Sequence, residues 1–389
     1  MHITIFSFHK PYPPNHGVAR RVWGLASSLV QLGQEVTVFY TGKGQAASIG
    51  GVRLHGVPRT GALANRIFDA VFVRYHNNID FYRMFRRLGL DRTTDVLQYE
   101  FPYLFPTAAL ARRHGVPIVL DAHGVEAAFN REVHIENSPS VAMLKKSEFT
   151  EWLSLRFSDR VFACSKADAG KMHEIYGTDP RKIEVVPNGV AQSFFEPIEP
   201  HEFHKPTALF VGSALHPPNK YAIELLASTI IPRVLKSRKD AQFAFIGKHA
   251  KPPYPWWMST PPPKLAGRKG VLDFAEVSAV EPYMAGADVC VAPIYQGSGT
   301  RTKILEYLAC GKAVVTTSKG IEGIEVMDGR ELLIRDEPDE FADAVSELLG
   351  SPKKARRLGA AGRRFVKGRY DWLSIAKRTI PVYEELARR

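Results

Sequence analysis

Residues 288–323 place the tightest limit on what this chain can fold into: DVCVAPIYQGSGTRTKILEYLACGKAVVTTSKGIEG. The apolar run at 289–293 reads as a buried strand. A glycine-bearing loop then feeds a helix running to about Cys310, Gly311 stops it, and residues 313–316 form a second buried strand. Gly297 and Gly299 let the loop turn with φ > 0 and let a ligand approach without a Cβ in the way. The loop delivers its N–H groups to a helix N-terminus, where unpaired donors and the dipole favour an anion. Arg301 and Lys303 add positive charge in that first turn, where it opposes the dipole, so the sequence predicts an anion beside them. Glu306 lies roughly 6–9 Å further along the axis, at about 1.5 Å per residue. Spacing alone leaves it either a carboxylate that accepts ribose hydroxyls or a solvated surface residue.

The chain opens with the same kind of unit. Residues 3–8 read as a strand and HKPYPPNHG at 9–17 as a loop. Helical spacing through Val22, Leu25, Ala26 and Leu29 covers 18–32, Gly33 closes it, and EVTVFY at 35–40 is a second strand. This βαβ opening predicts a doubly wound α/β sheet. It lacks the GxGxxG pattern of dinucleotide-binding proteins, which argues against a nicotinamide enzyme. Further strands are expected at 70–75, 95–99, 117–121, 160–164 and 182–186, with helices at 79–88, 104–114 and 140–158. From 190 to 206 the periodicity lapses around Pro197, Pro200 and Pro206, as in a linker. A second α/β unit starts at Thr207, with strands at 242–247, 271–274 and 331–334 and helices at 277–285, 339–349 and 352–366. Residues 248–264 hold KPPYPWWMSTPPPK, which continues neither a helix nor a central strand. Trp256 and Trp257 read as a hydrophobic plug or a lipid contact.

The run TKILEYLACGKAVV followed by GIEG resembles the nucleotide-sugar site of the retaining glycosyltransferases of family four. DRVFACSKADAGKMHEIYG…KIEVVPNGV similarly resembles the end of that family's N-terminal domain. The resemblance implies the GT-B fold, two Rossmann-like domains facing each other across a cleft. Residues 1–190 would be the acceptor-binding domain and 191–369 the nucleotide-sugar-binding domain. A helix at 370–389 would cross back to the first. It further implies that Gly297, Ser298, Gly299, Thr300, Arg301, Thr302 and Lys303 contact the donor diphosphate and sugar while Glu306 holds the ribose. Ser298 stands where many members carry a first Glu, and Ser213, after Gly212, stands where many carry an Arg. Lys220 fills the position of a diphosphate-binding Lys. In DAHGVE, His123 matches the family's strand-end His that reaches the donor sugar, with Glu126 beside it. Asn15, His16 and Gly17 fall in the family's first loop, which approaches the acceptor or the donor phosphates. The implied reaction is metal-independent retaining transfer from a nucleotide-sugar to a glycan or lipid-linked acceptor, in polysaccharide biosynthesis. A sugar-nucleotide 2-epimerase of the same architecture is the alternative.

Composition limits the surroundings. Three cysteines without metal-type spacing suit a reducing cytoplasm. The N-terminal stretch reads as a strand, not a signal peptide, and no run approaches the ~18 apolar residues of a membrane span. A net charge of +12 from 52 basic and 40 acidic residues allows nucleic acid, an anionic membrane or anionic substrates. Most of the basic residues are scattered and the sequence shows no recognised nucleic-acid module, which favours the last two. The one basic cluster of the N-terminal domain, Arg83, Arg86, Arg87 and Arg92 beside Phe81, Tyr82 and Phe85, predicts peripheral contact with an anionic leaflet.

Overall fold

The computed structural model describes residues 1–44, 46–61, 63–71, 78–133, 141–248, 261, 264–297 and 299–389. The chain forms two compact units. The first comprises Met1–Arg131, Pro139–Gly189 and Trp372–Arg389, and the second Glu132–Ser138 and Val190–Asp371.

The first unit is built on β1 (His2–Ser7), β2 (Glu35–Thr41), β3 (Ala47–Ile49), β4 (Val52–Val57), β5 (Val96–Glu100), β6 (Ile118–Asp121), β7 (Arg160–Ala163) and β8 (Ile183–Val185). Their order is β3-β4-β2-β1-β5-β6-β7-β8, parallel except for β3. Successive side chains on a strand point to opposite faces, and each face of this sheet has its own core. Ile3, Val119 and Phe162 pack with Val22, Leu25, Ile375 and Tyr383. Phe6, Leu97, Leu120 and Val161 pack with Phe81, Phe85 and Leu104. The last helix, Trp372–Ala387, belongs to the first of these cores. Its Trp372 lies in a slot that only glycine allows: a Cβ on Gly24 would stand 2.3 Å from the indole, and one on Gly189 2.5 Å.

Several sequence expectations shift. Residues 70 and 71 end a helix, Leu63–Val71, instead of starting a strand, and the rest of that expected strand lies outside the described residues. The helix expected over 104–114 is broken into Pro102–Leu104, Phe105–Ala108 and Ala111–His114, with Pro102 and Pro106 each in the first turn of its own segment, where a missing N–H is tolerated. Phe81 and Phe85 are fully buried, so they cannot serve a surface as the basic-cluster reading required. In that cluster Arg83 pairs with Asp80 at 2.8 Å and Arg86 with Asp91 at 3.0 Å. Trp256 and Trp257 lie outside the described residues.

The second unit contains β9 (Thr207–Val211), β10 (Gln242–Ile246), β11 (Val271–Asp273), β12 (Val289–Ala292), β13 (Ala313–Thr316) and β14 (Leu333–Ile334). They run parallel in the order β11-β10-β9-β12-β13-β14 around one core. The helix after β11 spans Glu281–Gly286, shorter than 277–285 suggested. Cys164 and Cys290 are buried free thiols, and burial pushes the pKa of both up. No described helix is long and apolar enough to cross a membrane.

Candidate functional site

In an open parallel sheet, ligands bind beyond the carboxyl ends of the strands where the strand order reverses. In the second unit that point lies between β9 and β12. The segment after β9 carries Gly212 to His216 and leads into the helix Pro217–Leu225. The segment after β12 carries the glycine loop and leads into the helix Thr302–Ala309. The two segments meet through Lys303, whose ammonium donates to Asn219 Oδ1 at 2.6 Å and stands 4.4 Å from the centre of the Phe210 ring. A Cβ on Gly212 would lie 2.7 Å from that nitrogen, so glycine there keeps the space that the lysine fills. Burial, then the charge of Arg301, lowers the Lys303 pKa to about 7, with Glu306 opposing.

Gly297 and Gly299 have φ of 97° and 80°, as the loop reading required. Arg301 closes the loop from inside. Its guanidinium donates to the carbonyls of Gly299 at 2.5 Å, Gly297 at 2.7 Å and Gln296 at 3.3 Å. Those carbonyls balance the cation at the helix start, a balance that the sequence assigned to an anion. Thr300 and Glu306 are buried at 7% and 3% exposure, so the solvated reading of Glu306 fails. Thr302 is the first residue of the helix. Ser298 lies outside the described residues. Lys220 pairs with Glu224 at 2.6 Å along its own helix, and Lys303 is the cation that reaches the Gly212 turn. His216, the residue before Pro217, was missed by sequence reasoning. Partial desolvation, then the charges of Lys303 and Arg301, lowers its pKa to about 4, so the exposed imidazole stays neutral beside them. Its only sequence signal was its place in the loop after β9.

The corresponding reversal in the first unit lies between β1 and β5. A cavity there is lined by Phe8, His9, Glu100, Phe101, Tyr103 and Leu104. His123 follows β6 with φ of 53°, and Phe101 follows β5 with φ of 64°; their rings stack at 4.3 Å. Two non-glycine residues held in the left-handed region need surroundings that over-determine them. Here the second restraint is Glu100, fully buried, whose carboxyl lies 2.5 Å from His123 Nε2 with one proton between them. Gln98 donates to Glu100 at 2.7 Å, and Tyr383 from the final helix donates to Gln98. Burial, then the charge of Asp121, raises the Glu100 pKa.

Asp121 in turn receives Arg21, with Nε at 2.9 and 3.0 Å and Nη2 at 2.7 Å. Arg21 is 1% exposed and also donates to the Val186 and Pro187 carbonyls and to Asn188. Ligand atoms of Glu100, Asp121 and His123 lie within 4.8 Å of one another. Their donor partners are the guanidinium, the Gln98 amide and the shared proton, so the set is already built around protein groups. Glu126 begins the helix Glu126–Val133 and accepts from Tyr103 at 2.6 Å; burial raises its pKa. His16 caps the helix Gly17–Gln31, accepting from Ala19 N at 3.4 Å, and burial, then Arg20, lowers its pKa. Asn15 is exposed, and a Cβ on Gly17 would meet nothing within 4 Å, so the protein itself sets no need for glycine there.

Both halves of this arrangement match known sequences. The family model for Glycosyltransferase Family 4 matches residues 15–194, and that for Glycosyl transferases group 1 matches residues 205–351. The chain belongs to the family-four, group 1 glycosyltransferases. Among relatives of this glycosyltransferase, the alpha-maltose-1-phosphate synthase of Mycolicibacterium smegmatis is 26% identical over 70% of this chain and 74% of its own. The glycogen synthase of Mycobacterium tuberculosis is 24% identical over 98% of this chain and 94% of its own. Sucrose-phosphate synthase from Thermosynechococcus elongatus superposes with a TM-score of 0.76 at 16% identity, covering 99% of this chain and 98% of that one. Anabaena HepE, solved with UDP and glucose, gives 0.71 at 13% identity, covering 98% and 99%. The glycosyltransferase thus has the GT-B fold.

Proposed function

We propose that the enzyme transfers a sugar from a nucleotide-sugar, with retention and without a metal, to a glycan or lipid-linked acceptor. The observation that carries this reading is the convergence of the Gly212 turn, Lys303 and the glycine loop where β9 and β12 part. The leaving group is a nucleoside diphosphate. Backbone N–H groups of Gly297, Gly299 and Thr300, with Lys303, stabilise the charge that develops on it. Arg301 acts on the same anion by fixing the loop. Glu306 accepts the ribose hydroxyls, and Lys220 and Thr302 stand at the edge of the diphosphate site. His123, held by Glu100 and Phe101, meets the donor sugar. Gly17 lies against the donor, and Asn15, His16 and Glu126 receive the acceptor.

The relatives, an alpha-maltose-1-phosphate synthase and a glycogen synthase, support a sugar-transfer chemistry through their own activities. Incubation of purified enzyme with nucleotide-sugars and simple acceptors, followed by NMR of the anomeric protons, tests the reading. A product with the donor's anomeric configuration, formed in the presence of EDTA, is expected. A product that is only the 2-epimer of the donor sugar indicates the epimerase, and loss of turnover on chelation, restored by a divalent ion, overturns the metal-free mechanism.

Peripheral contact with an anionic membrane belongs to this proposal, but through different residues from those the sequence suggested. The helix Leu63–Val71 exposes Leu63 at 70%, Ile67 at 53% and Val71 at 49%, spaced four apart on one face beside Arg66. Co-sedimentation with anionic liposomes that Ile67→Glu abolishes is the expected result; sedimentation unchanged by it removes this helix from the proposal.

A further inference from the structure

The helix Val141–Phe157 carries three large aromatics in the open: Phe149, Trp152 and Phe157 are 46%, 40% and 45% exposed. Phe149 lies nearly parallel to Trp152 at 6.0 Å, and the Arg156 guanidinium stands 5.6 Å from the Phe157 ring centre. Beside Trp152 the surface sinks into a cavity whose wall includes Arg156, Tyr176, Thr178, Asp179 and Lys182.

The wall carries more positive than negative charge. Among the described residues Arg156 forms no ion pair, and the Lys182 ammonium donates to the Arg156 and Ser158 carbonyls, each at 3.1 Å. Asp179 on the rim is taken by Arg181 at 2.8 Å. Burial, then the charge of Arg156, lowers the Lys182 pKa, with Asp159 and Asp179 opposing. The Thr178 hydroxyl, on a residue 6% exposed, has no hydrogen-bond partner among the described residues.

The cavity is also in the wrong place to belong to the catalytic site. Arg156 and Lys182 precede β7 and β8, at the strands' amino ends, whereas Glu100 and His123 stand at the carboxyl ends of β5 and β6. In a parallel sheet these are opposite edges.

We propose that this cavity is a second ligand site, which binds an anionic pyranose, a sugar ring carrying a carboxylate or a phosphate. A pyranose offers a face of C–H groups to an indole and hydroxyls at its edge to the polar rim of the recess, so one ligand meets Trp152 and the rim together. Its anion supplies the counter-charge that Arg156 lacks, with Lys182 beside it. A bilayer surface is flat on this scale and leaves the recess empty. The site goes beyond the proposed transfer reaction, and its occupancy is measured without turnover.

Isothermal titration of the full chain with glucuronate and with glucose 6-phosphate provides the test, with glucose and inorganic phosphate as controls. At least one anionic sugar binds saturably, and Trp152→Ala abolishes that binding. Arg156→Gln, a change at a solvent-exposed side chain, weakens it by about tenfold or more, as expected for a lost charge-assisted hydrogen bond. Glucose and inorganic phosphate each bind at least tenfold more weakly, and nucleoside diphosphate affinity stays the same in both variants. The proposal is overturned if neither anionic sugar binds, if either control binds as tightly, or if Arg156→Gln changes nothing. Trp152-dependent sedimentation with liposomes, or a Trp152-dependent dimer, without sugar binding, overturns it in favour of a membrane or a second copy.

Discussion

Lys303 is the side chain whose ionisation matters most at the residue scale. Its folded pKa of about 7 lies below the ordinary lysine value of 10.5. Between those values the unfolded chain holds a proton that the folded chain lacks, so stability rises with pH across that window and the full penalty applies below it. An anion in the site reverses the preference and draws the proton back. Nucleoside diphosphate affinity should therefore fall as pH rises from about 7.5 to 9, by at most about tenfold per unit, above the range where the phosphate itself titrates. A flat profile in calorimetry would show that Lys303 does not face the diphosphate. Lys303→Ala should weaken the diphosphate while leaving the free nucleoside nearly unaffected; equal losses for both would remove the phosphate assignment. Glu306→Gln should weaken both ligands, by roughly 1.5–3 kcal/mol for a charge-assisted hydrogen bond, with little change in melting temperature. Unchanged affinity with a collapsed melting temperature would make Glu306 a structural residue. The charges at 301, 303 and 306 were legible in the sequence, but their partners were not. That Arg301 turns onto three loop carbonyls follows from how the loop closes, and no spacing rule encodes it.

At the scale of elements, the final helix depends on Trp372, 7% exposed against Gly24 and Gly189. Trp372→Ala should cost about 3–5 kcal/mol in denaturant unfolding, the range for a large buried aromatic. A loss below about 1 kcal/mol would mean that the slot collapses onto the cavity. Short Val-rich runs such as EVTVFY at 35–40 and AVVT at 313–316 were readable because a strand buried on both faces leaves little else for clustered Val, Phe and Tyr to do. The hairpin of β3 and β4 was overlooked although its signal was present. Gly50 and Gly51, with φ of 53° and 82°, form the two-residue turn between them. The helix Leu63–Val71 was overlooked for a different reason: its apolar stripe faces outward, so the pattern carried no information about a core. Phe81 and Phe85 misled in the opposite sense. Four residues apart on one helical face, they carried a core signal that the neighbouring arginines obscured.

For the whole molecule, the two sheets were legible as alternating strands and helices, whereas the contacts that join distant segments were not. Arg21 and Asp121 are 100 residues apart, and Tyr383 reaches Gln98 across 285. Such pairs follow from strand order, which brings β1, β5 and β6 side by side. Donor binding is assigned to a diphosphate site where β9 and β12 part. A thermal-unfolding panel of nucleoside diphosphates and their free nucleosides, run on the native chain and on Lys303→Ala, tests it most directly. At about 100 times its dissociation constant, one diphosphate should stabilise the native chain by about 2.7 kcal/mol. Its nucleoside at the same concentration should give far less, and Lys303→Ala should lose most of the diphosphate's effect. If no nucleoside diphosphate shifts the transition, or if the variant responds as the native chain does, the site is not where the donor binds.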